Sequence, residues 1–282
     1  MTTRNESCVF MWTDRAIFIG APTPAGAETG VHSHPVVEVS LTLGPSIGVR
    51  CKGGAADAGP LEDCAGAVVD ANVEHQLITR GPRTTVFYLD PATPDAVALS
   101  QHLEGRKARA LTGDEVTEWR QGVLALLDDP GLAQAGTLFD RVVETVVGPR
   151  ARAEARRAME ARALDSRITG VVELLRDNLE RVMSLVELSR AVGLSEGRLR
   201  HLFREQLGIP LRRYALWLRL RRALTVAFAG EPMTAAAHAA GFSDAAHFTR
   251  TCRQMFGLAP SAFASVDLFV AEPHHPDLLA PE

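Results

Sequence analysis

The sequence contains no run of about 18 consecutive apolar residues, the length that a transmembrane helix requires. It also lacks a basic segment followed by an apolar one at its start, which would be typical of a signal peptide. Its four cysteines are scattered without a CxxC spacing, which favours reduced thiols over a disulfide framework. Together these absences predict a cytoplasmic protein without a membrane span.

Charged residues are distributed unevenly along the 282 residues, although the net charge is only −4. Residues 1–148 contain 11 basic and 19 acidic residues, whereas residues 149–265 contain 19 arginines and 11 acidic residues. A basic module attached to an acidic one is typical of a nucleic-acid-binding domain joined to a sensing or assembly domain. The length also allows two domains with separate hydrophobic cores.

A short pattern occurs twice near the C-terminus. Each copy begins with a glycine, an apolar residue and a serine, at Gly193 and Gly241. Apolar residues and a glycine follow with a constant offset of 49: Leu199, Phe203 and Gly208 in the first copy, Phe248, Cys252 and Gly257 in the second. A tight turn, an N-capping Ser and apolar residues at i and i+4 are typical of a helix-turn-helix. Two such units predict a bipartite DNA-binding domain, and hence a regulator of transcription.

Each predicted recognition helix has a polar face opposite its apolar one. The residues on these faces are the predicted DNA contacts: Gly197, Arg198, Arg200, His201 and Arg204 in the first helix, and Ala246, Thr249, Arg250 and Arg253 in the second. An arginine in the major groove can pair with guanine O6 and N7, and it can equally contact phosphate, so both contacts stay open at each position. The helix over 211–229 is expected to space the two units about one DNA turn (~34 Å) apart.

The first ninety residues have a different residue pattern, in which short β-branched runs are broken by Gly, Pro and Asp clusters. This pattern predicts strands at 36–43, 67–69 and 84–89. Helices are expected afterwards, at 95–103, 114–127 and 137–147. The fold class is therefore predicted as α+β with two domains.

The predicted domain boundaries follow from these changes in residue pattern and charge. They are an N-terminal sensing domain at 1–148, an Arg- and Ala-rich linker at 149–165, a DNA-binding domain at 166–265 and an acidic, Pro-containing tail at 266–282.

A histidine motif lies in the predicted strand region. His32, His34 and Glu38 occupy even positions, which would place them on one face of a strand, and His75 follows Asp70-Ala71-Asn72. Three imidazoles and one carboxylate suit a divalent transition metal, namely Zn, Ni, Fe or Mn. The same residues would equally suit a pocket for a small organic effector without metal, so both alternatives stay open.

Residues 166–263 resemble the AraC/XylS family of bacterial regulators, with Gly241-Phe242-Ser243-Asp244…Phe248…Arg250…Phe256-Gly257…Pro260…Phe263 as the diagnostic end. Residues 26–38 resemble the first cupin motif, G-x5-H-x-H-x3-E, and His75 matches the histidine of the second. The resemblance implies a cupin-like β-barrel for effector binding and homodimerisation, followed by a double helix-turn-helix domain. It also implies double-stranded DNA and RNA polymerase as partners, with activation as the usual outcome.

Two further expectations concern assembly and catalysis. The homodimer is expected to form through the helix at 114–127 or the apolar stripe of the helix at 137–147. A metal-dependent cupin enzyme, an oxygenase or isomerase fused to a DNA-binding domain, is the alternative function. The sequence has no separate general acid–base set beside the histidine motif, so a regulator without catalysis is the preferred prediction.

Overall fold

The computed structural model describes residues 7–24, 26–53, 60–162, 165–263 and 266–271. They divide into two compact units. Unit 1 contains the described residues up to 156 together with those from 253 onwards, and unit 2 contains residues 157–252. Unit 1 is rich in strands and unit 2 is helical, so the two-domain α+β class is confirmed. No helix in these ranges is both long and apolar enough to span a bilayer.

The strands of unit 1 form two sheets. They are β1 (Ser7–Met11), β2 (Arg15–Ile19), β3 (Ala27–Glu28), β4 (Val37–Thr42), β5 (Ile47–Cys51), β6 (Leu61–Cys64), β7 (Gly66–Val69), β8 (His75–Thr79), β9 (Thr84–Leu89), β10 (Ala108–Leu111) and β11 (Val266–Val270). Sheet A has the order β10-β7-β4-β9-β2-β1-β11, and sheet B has the order β3-β8-β5-β6. Because the pairing of the described strands does not close into a ring, the predicted cupin-like barrel is not confirmed.

Three helices complete unit 1: α1 (Pro94–His102), α2 (Gly113–Asp128) and α3 (Leu132–Arg162), whose residues from 157 onwards belong to unit 2. α2 starts at a capping box between Thr112 and Glu115, and α3 breaks at Gly148, whose φ is 80°. The apolar stripes of these helices pack on sheet A in one core that contains Phe87 and Trp119, both fully buried. Burial of this apolar area is the main stabilising contribution to the unit.

The stripe predicted to mediate dimerisation belongs to this core. Leu138, Val142 and Val146 of α3 are 5%, 1% and 5% exposed. They are covered within their own chain, where they join the core that sheet A and its helices share. The expectation that this stripe is left uncovered for a dimer is therefore wrong. On α2, the other helix predicted to mediate dimerisation, Leu124 is the largest exposed apolar residue, with 55% of its surface exposed.

Two strands lie where the sequence indicated something else. Residues 266–270, assigned above to a tail, form β11, which pairs in parallel with β1 and stacks Phe269 on Phe10 with 4.9 Å between ring centroids. Residues 108–111, in a region expected to be helical, form β10 on the edge of β7. Both strands are stabilised by distant partners, which no local pattern reveals. The remainder of the predicted tail, from residue 272, lies outside the described residues.

Unit 2 consists of a lead helix, two helix pairs and a connecting helix. They are α4 (Ser166–Asp177), α5 (Leu185–Ala191), α6 (Glu196–Leu207), α7 (Leu211–Phe228), α8 (Met233–Ala239) and α9 (Ala245–Phe256), whose last turn belongs to unit 1. α4 and α7 bury apolar stripes that include Val171 and Trp217. The pairs α5–α6 and α8–α9 are the two helix-turn-helix units, with α7 between them. A short 3-10 turn, Pro260–Phe263, follows α9.

Candidate functional site

The first recognition helix, α6, is fixed at both ends. The Ser195 hydroxyl accepts a hydrogen bond from the Arg198 backbone N–H, and Gly208 ends the helix with a left-handed φ of 72°. Leu199 and Phe203 are fully buried on its inner face. The opposite face is therefore held outward in a fixed orientation.

All five residues predicted as DNA contacts in the first helix are exposed: Gly197, Arg198, Arg200, His201 and Arg204. His201 lies 3.7 Å from Glu205, and both side chains are exposed, so this ion pair contributes little. Arg200 and Arg204 form no hydrogen bond or ion pair with any of the described residues. Their five donors each are thus available to a partner.

The second recognition helix, α9, starts in a different way from the prediction. The Asp244 carboxylate accepts a 2.6 Å hydrogen bond from the His247 backbone N–H, whereas Ser243 donates its hydroxyl hydrogen to Asp244. Asp244 is therefore the N-cap, because Ser243 lies one residue too early to reach the third helical N–H. The hydrogen bond from His247 lowers the pKa of Asp244 below its ordinary value. Ala246, Arg250 and Arg253 are exposed and Thr249 is half-buried.

An arginine that the sequence did not single out holds the turn before α9. Arg219 of α7 donates its Nε hydrogen to the Ala240 carbonyl at 2.8 Å and its guanidinium also to the Gly241 carbonyl. Its guanidinium carbon lies 4.7 Å from the ring centroid of Phe242. Burial lowers the pKa of Arg219. The charged hydrogen bonds fix the turn, and nothing in the sequence around Arg219 distinguished it from the other arginines of α7.

In unit 1 the structure brings together all four residues of the histidine motif. One potential ligand atom from each of His32, His34, Glu38 and His75 lies within 4.8 Å of the others, and all four residues are buried. His34 Nε2 lies 2.9 Å from Glu38 Oε2, and His75 Nε2 lies 3.5 Å from the same oxygen. We refer to these four residues as the His3Glu cluster.

The cluster converges by a different route from the one predicted. Of His32, His34 and Glu38, only Glu38 lies in a regular strand, β4, because Pro35 has no N–H and interrupts the extended segment before it. His32 instead forms an isolated bridge with His75, with N–H···O distances of 2.9 and 2.8 Å. The prediction that His32, His34 and Glu38 share one strand face is therefore wrong.

Backbone carbonyls orient all three imidazoles. The Nδ1 atoms of His32, His34 and His75 lie 2.9, 2.9 and 3.0 Å from the carbonyl oxygens of Gly30, Val36 and Val73. Because a carbonyl only accepts, each Nδ1 carries the hydrogen and each Nε2 can offer a lone pair. Metal-bound histidines in proteins are oriented by the same kind of outer hydrogen bond. The arrangement would present three nitrogen donors and one carboxylate to an ion.

The pKa shifts of the four cluster residues are also compatible with metal binding. Burial, reinforced by His75, lowers the pKa of His32 to about 3, and burial also lowers the pKa of His34. Burial acts to raise the pKa of Glu38, but the neighbouring His34 and His75 outweigh it and lower the pKa. Burial acts to lower the pKa of His75, but the neighbouring Glu38 carboxylate outweighs it and raises the pKa. A carboxylate beside mainly neutral imidazoles is the form that binds a divalent ion.

Two polar atoms of the cluster, Glu38 Oε1 and His75 Nε2, are buried without a hydrogen-bond partner. Unpartnered buried polar atoms are costly and call for an explanation. Ligand atoms placed 2.0–2.2 Å from one ion lie within about 4.4 Å of each other, so a small contraction of the cluster would suffice. The residues present therefore fit a transition metal.

A cavity of about 110 Å³ lies beside the cluster, with His32 and Glu38 in its lining. Aromatic side chains form much of the remaining wall: Phe18, Tyr88, Phe256 and Phe263. Phe256 is the last residue of α9, and Phe263 ends the 3-10 turn. A cavity of this size and lining suits a small, largely apolar molecule.

Gly257, the residue after α9, lies directly against the cluster. Its φ is 69°, its carbonyl accepts a 2.8 Å hydrogen bond from the Gly30 N–H, and a Cβ there would lie 2.8 Å from His32 Nδ1. Only glycine meets both constraints. The sequence had marked Gly257 as a helix end, but no local signal indicated its contact with the cluster.

Comparison of the sequence with known proteins finds a matching family model and matching relatives. Residues 188–265 match a family model described as "Helix-turn-helix domain". The chain is 30% identical over 102 residues to the arabinose operon regulatory protein of Salmonella typhimurium, and 29% identical over 90 residues to the probable transcriptional regulator LumQ of Photobacterium leiognathi. These matches cover 36% and 32% of this chain, and 36% of the length of each relative.

Solved structures extend the similarity in fold to most of the chain. The apo form of a ToxT point variant from Vibrio cholerae has a TM-score of 0.60 at 10% identity, covering 89% of this chain and 97% of its own. Unsaturated fatty acid bound wild-type ToxT has a TM-score of 0.53 at 12% identity, covering 93% and 97%. At these identities the likeness concerns the fold alone.

Proposed function

We propose that the chain is a sequence-specific DNA-binding regulator of transcription with a helix-turn-helix domain of the AraC type, the type that its motifs predict. The observation that carries the proposal is the pair of recognition helices, α6 and α9, each with a buried apolar face and an exposed face that carries arginine. An exposed arginine face on an anchored helix is suited to the major groove.

In this proposal the two helices enter successive major grooves. Arg200 and His201, central on the exposed face of α6, contact base edges, and Arg198 and Arg204 contact bases or phosphates beside them. The second helix contributes Thr249 and Arg250 as base contacts and Arg253 as a phosphate contact. Gly197 and Ala246, which have no long side chain, allow close approach of the backbone to the groove.

Unit 1 is proposed as a cupin-like sensing domain whose His3Glu cluster binds a divalent transition metal. Support comes from the three carbonyl-oriented imidazoles and from the unpartnered Glu38 Oε1 and His75 Nε2. When bound, such an ion would supply a Lewis-acidic centre beside the cavity, where the effector would lie. The fatty acid bound by ToxT, whose fold is similar, is consistent with a largely apolar effector here.

The sensing and DNA-binding roles would be coupled through residues 253–263. Phe256, the last residue of α9, lines the cavity, and Gly257, the next residue, lies against the cluster. An effector that displaces these residues would therefore act on the end of the second recognition helix. Activation through RNA polymerase, homodimerisation and a cytoplasmic location stay predictions from the sequence and its resemblance.

Binding-site selection with the full chain tests the DNA-binding proposal. Repeated selection from random duplexes should yield a bipartite site, one part for each recognition helix. Absence of binding to any duplex at low salt, where phosphate contacts are strongest, would overturn the proposal.

Elemental analysis of chelator-free protein tests the metal site. About one equivalent of a transition metal is expected, and His75→Ala should lose it while Gln76→Ala, next in the chain, should keep it. Less than about a tenth of an equivalent would instead favour a cluster that lines an effector pocket without metal. Turnover of a small substrate by the metal-loaded chain would favour the cupin-enzyme alternative.

A further inference from the structure

Unit 2 contains a groove of about 600 Å³ that the helix-turn-helix units do not require. It lies among the α4–α5 connection, α6 and the start of α7. Its floor is apolar and includes Leu179, Val182, Met183 and Leu216. Val182, which is 58% exposed, leaves part of this apolar floor open to solvent. The volume is in the range of small-molecule sites.

The rim of this groove is strongly cationic. Five arginines line it: Arg181, Arg200, Arg204, Arg212 and Arg219. None of the described residues that line it is acidic. An apolar floor below a rim of one charge sign is complementary to a molecule with an apolar body and an anionic head.

Three of the rim arginines are available to a ligand. Arg181 is 2.7 Å from Glu187, and Arg219 donates to the carbonyls before α9. In contrast, Arg200, Arg204 and Arg212 are exposed and have no hydrogen bond or ion pair with the described part of the chain. An anionic head could therefore accept charge-assisted hydrogen bonds without breaking an existing pair.

We propose that this groove binds an amphipathic monoanion, an alkyl chain with one carboxylate or sulfonate-like head, and that occupancy competes with DNA. The alkyl chain lies on Val182, Met183 and Leu216, and the head binds Arg200 and Arg204. The competition rests on the proposed function, in which the same two arginines contact DNA. The site is separate from the cavity beside the His3Glu cluster, so DNA binding would have a second control.

The lining favours this occupant over a nucleic-acid phosphate. Phosphate sites offer N–H and hydroxyl donors around the anion, and they gain nothing from a broad apolar floor. Burial of an alkyl chain on an apolar floor is favourable, and the gain grows with each CH2 group. The apolar floor is therefore explained by a ligand with a hydrocarbon body and not by DNA alone.

Calorimetric titration of the full chain with decane-1-sulfonate, below its micelle concentration, tests the binding step. We expect saturable binding, with 1-decanol and decyltrimethylammonium at least tenfold weaker because they lack the anionic head. Val182→Asp, which places a carboxylate on the floor at an exposed position, should weaken binding at least tenfold. Val186→Asp is the matched control, since Val186 is 39% exposed on α5 but lies outside the groove lining.

A second titration, of a duplex DNA with and without saturating decane-1-sulfonate, tests the competition. The sulfonate should raise the apparent Kd of the unaltered chain and of Val186→Asp, and leave that of Val182→Asp unchanged. Equal binding of the three probes, or equal effects of the two variants, would overturn the groove as a site. Unchanged DNA affinity at saturation would overturn the competition. Absence of DNA binding without any sulfonate would instead reject the proposed function and leave the groove result intact.

Discussion

The two helix-turn-helix units differ in how each is stabilised. In the first, the supporting helix α5 buries Leu188 and starts at a capping box between Ser184 and Glu187. In the second, α8 buries only the alanines Ala236 and Ala237 and starts without a side-chain cap. Smaller side chains bury less apolar area, so the second supporting helix contributes less hydrophobic stabilisation. The second unit compensates with Arg219, which ties its turn to α7.

The exposed faces of α6 and α9 differ as well, and the first helix again has the larger set of interacting side chains. α6 presents three arginines and a histidine, whereas α9 presents Arg250 and Arg253 with an alanine and a half-buried threonine. Long polar side chains are the ones that discriminate bases. Under the proposed function, the first unit therefore supplies most of the sequence discrimination and the second mainly anchors the protein on DNA.

Removal of the Arg219 side chain should have the largest effect on the difference between the two helix-turn-helix units. Arg219→Met deletes charged hydrogen bonds to the carbonyls of Ala240 and Gly241, and each hydrogen bond to a charged group contributes about 1.5–3 kcal/mol. We expect urea denaturation to show a loss of about 2–3 kcal/mol and second-half-site contacts to disappear from a footprint. Arg212→Met, on the exposed start of the same helix, should leave stability within about 0.5 kcal/mol. Equal losses in the two variants would show that the second turn is not held by Arg219.

Truncation of Arg200 should remove discrimination from the first half-site. Arg200→Ala should cost about 1–3 kcal/mol of specific binding and relax the preference at one position. Arg250→Ala should cost less, because α9 contributes fewer long polar side chains around it. Site selection with both variants measures this, and a tighter base preference in the second half-site would reverse the proposed division of roles.

The N-caps of α6 and α9 also differ, and removal of a capping side chain should have a smaller, local effect on stability. Ser195→Ala removes the N-cap of α6 and should destabilise the chain by about 1 kcal/mol. Ser243→Ala should change little, because Asp244 caps α9. The lowered pKa of Asp244 means that its cap stabilises the chain above the unfolded-state pKa and is lost as the pH falls through the folded-state pKa. Equal destabilisation by the two serine variants, in denaturation at neutral pH, would contradict the assignment of Asp244.

Loss of Arg253 should give the smallest change, one that does not depend on sequence. Arg253→Ala removes one proposed phosphate contact, so binding to all duplexes should weaken alike. The slope of log K against log salt should become shallower by about one unit. A shift in base preference in this variant would show that Arg253 contacts a base.

The parts of the structure that the sequence revealed are those stabilised locally. Capping serines, glycine turns and apolar residues four apart located α6 and α9, because helices depend on neighbours within one or two turns. The spacing of His32, His34 and Glu38 correctly indicated convergence, although the bridge with His75 and the interruption at Pro35 replaced the predicted strand face. The side chains of the cluster could thus be identified from the sequence, whereas the backbone path that brings them together could not.

The features that escaped prediction depend on residues far apart in the chain. β10 exists because β7 offers it an edge, and Arg219 matters because the turn after the next helix presents carbonyls to it. Gly257 looked like an ordinary helix end, and its packing against His32 depends on some 220 intervening residues. A single sequence contains no local trace of such contacts.

The pairing of β1 with β11 has a consequence for how the polypeptide is made. Ser7 pairs with Val266, so the outer edge of β1 has no partner until residue 266 has left the ribosome. Until then an apolar strand, whose five residues are all buried in the finished protein, presents open hydrogen-bonding groups. Folding of sheet A therefore ends with a contact of very high sequence separation, which is slow to form. Newly made chains should be most prone to aggregation in that interval, and truncation before residue 266 should prolong it indefinitely.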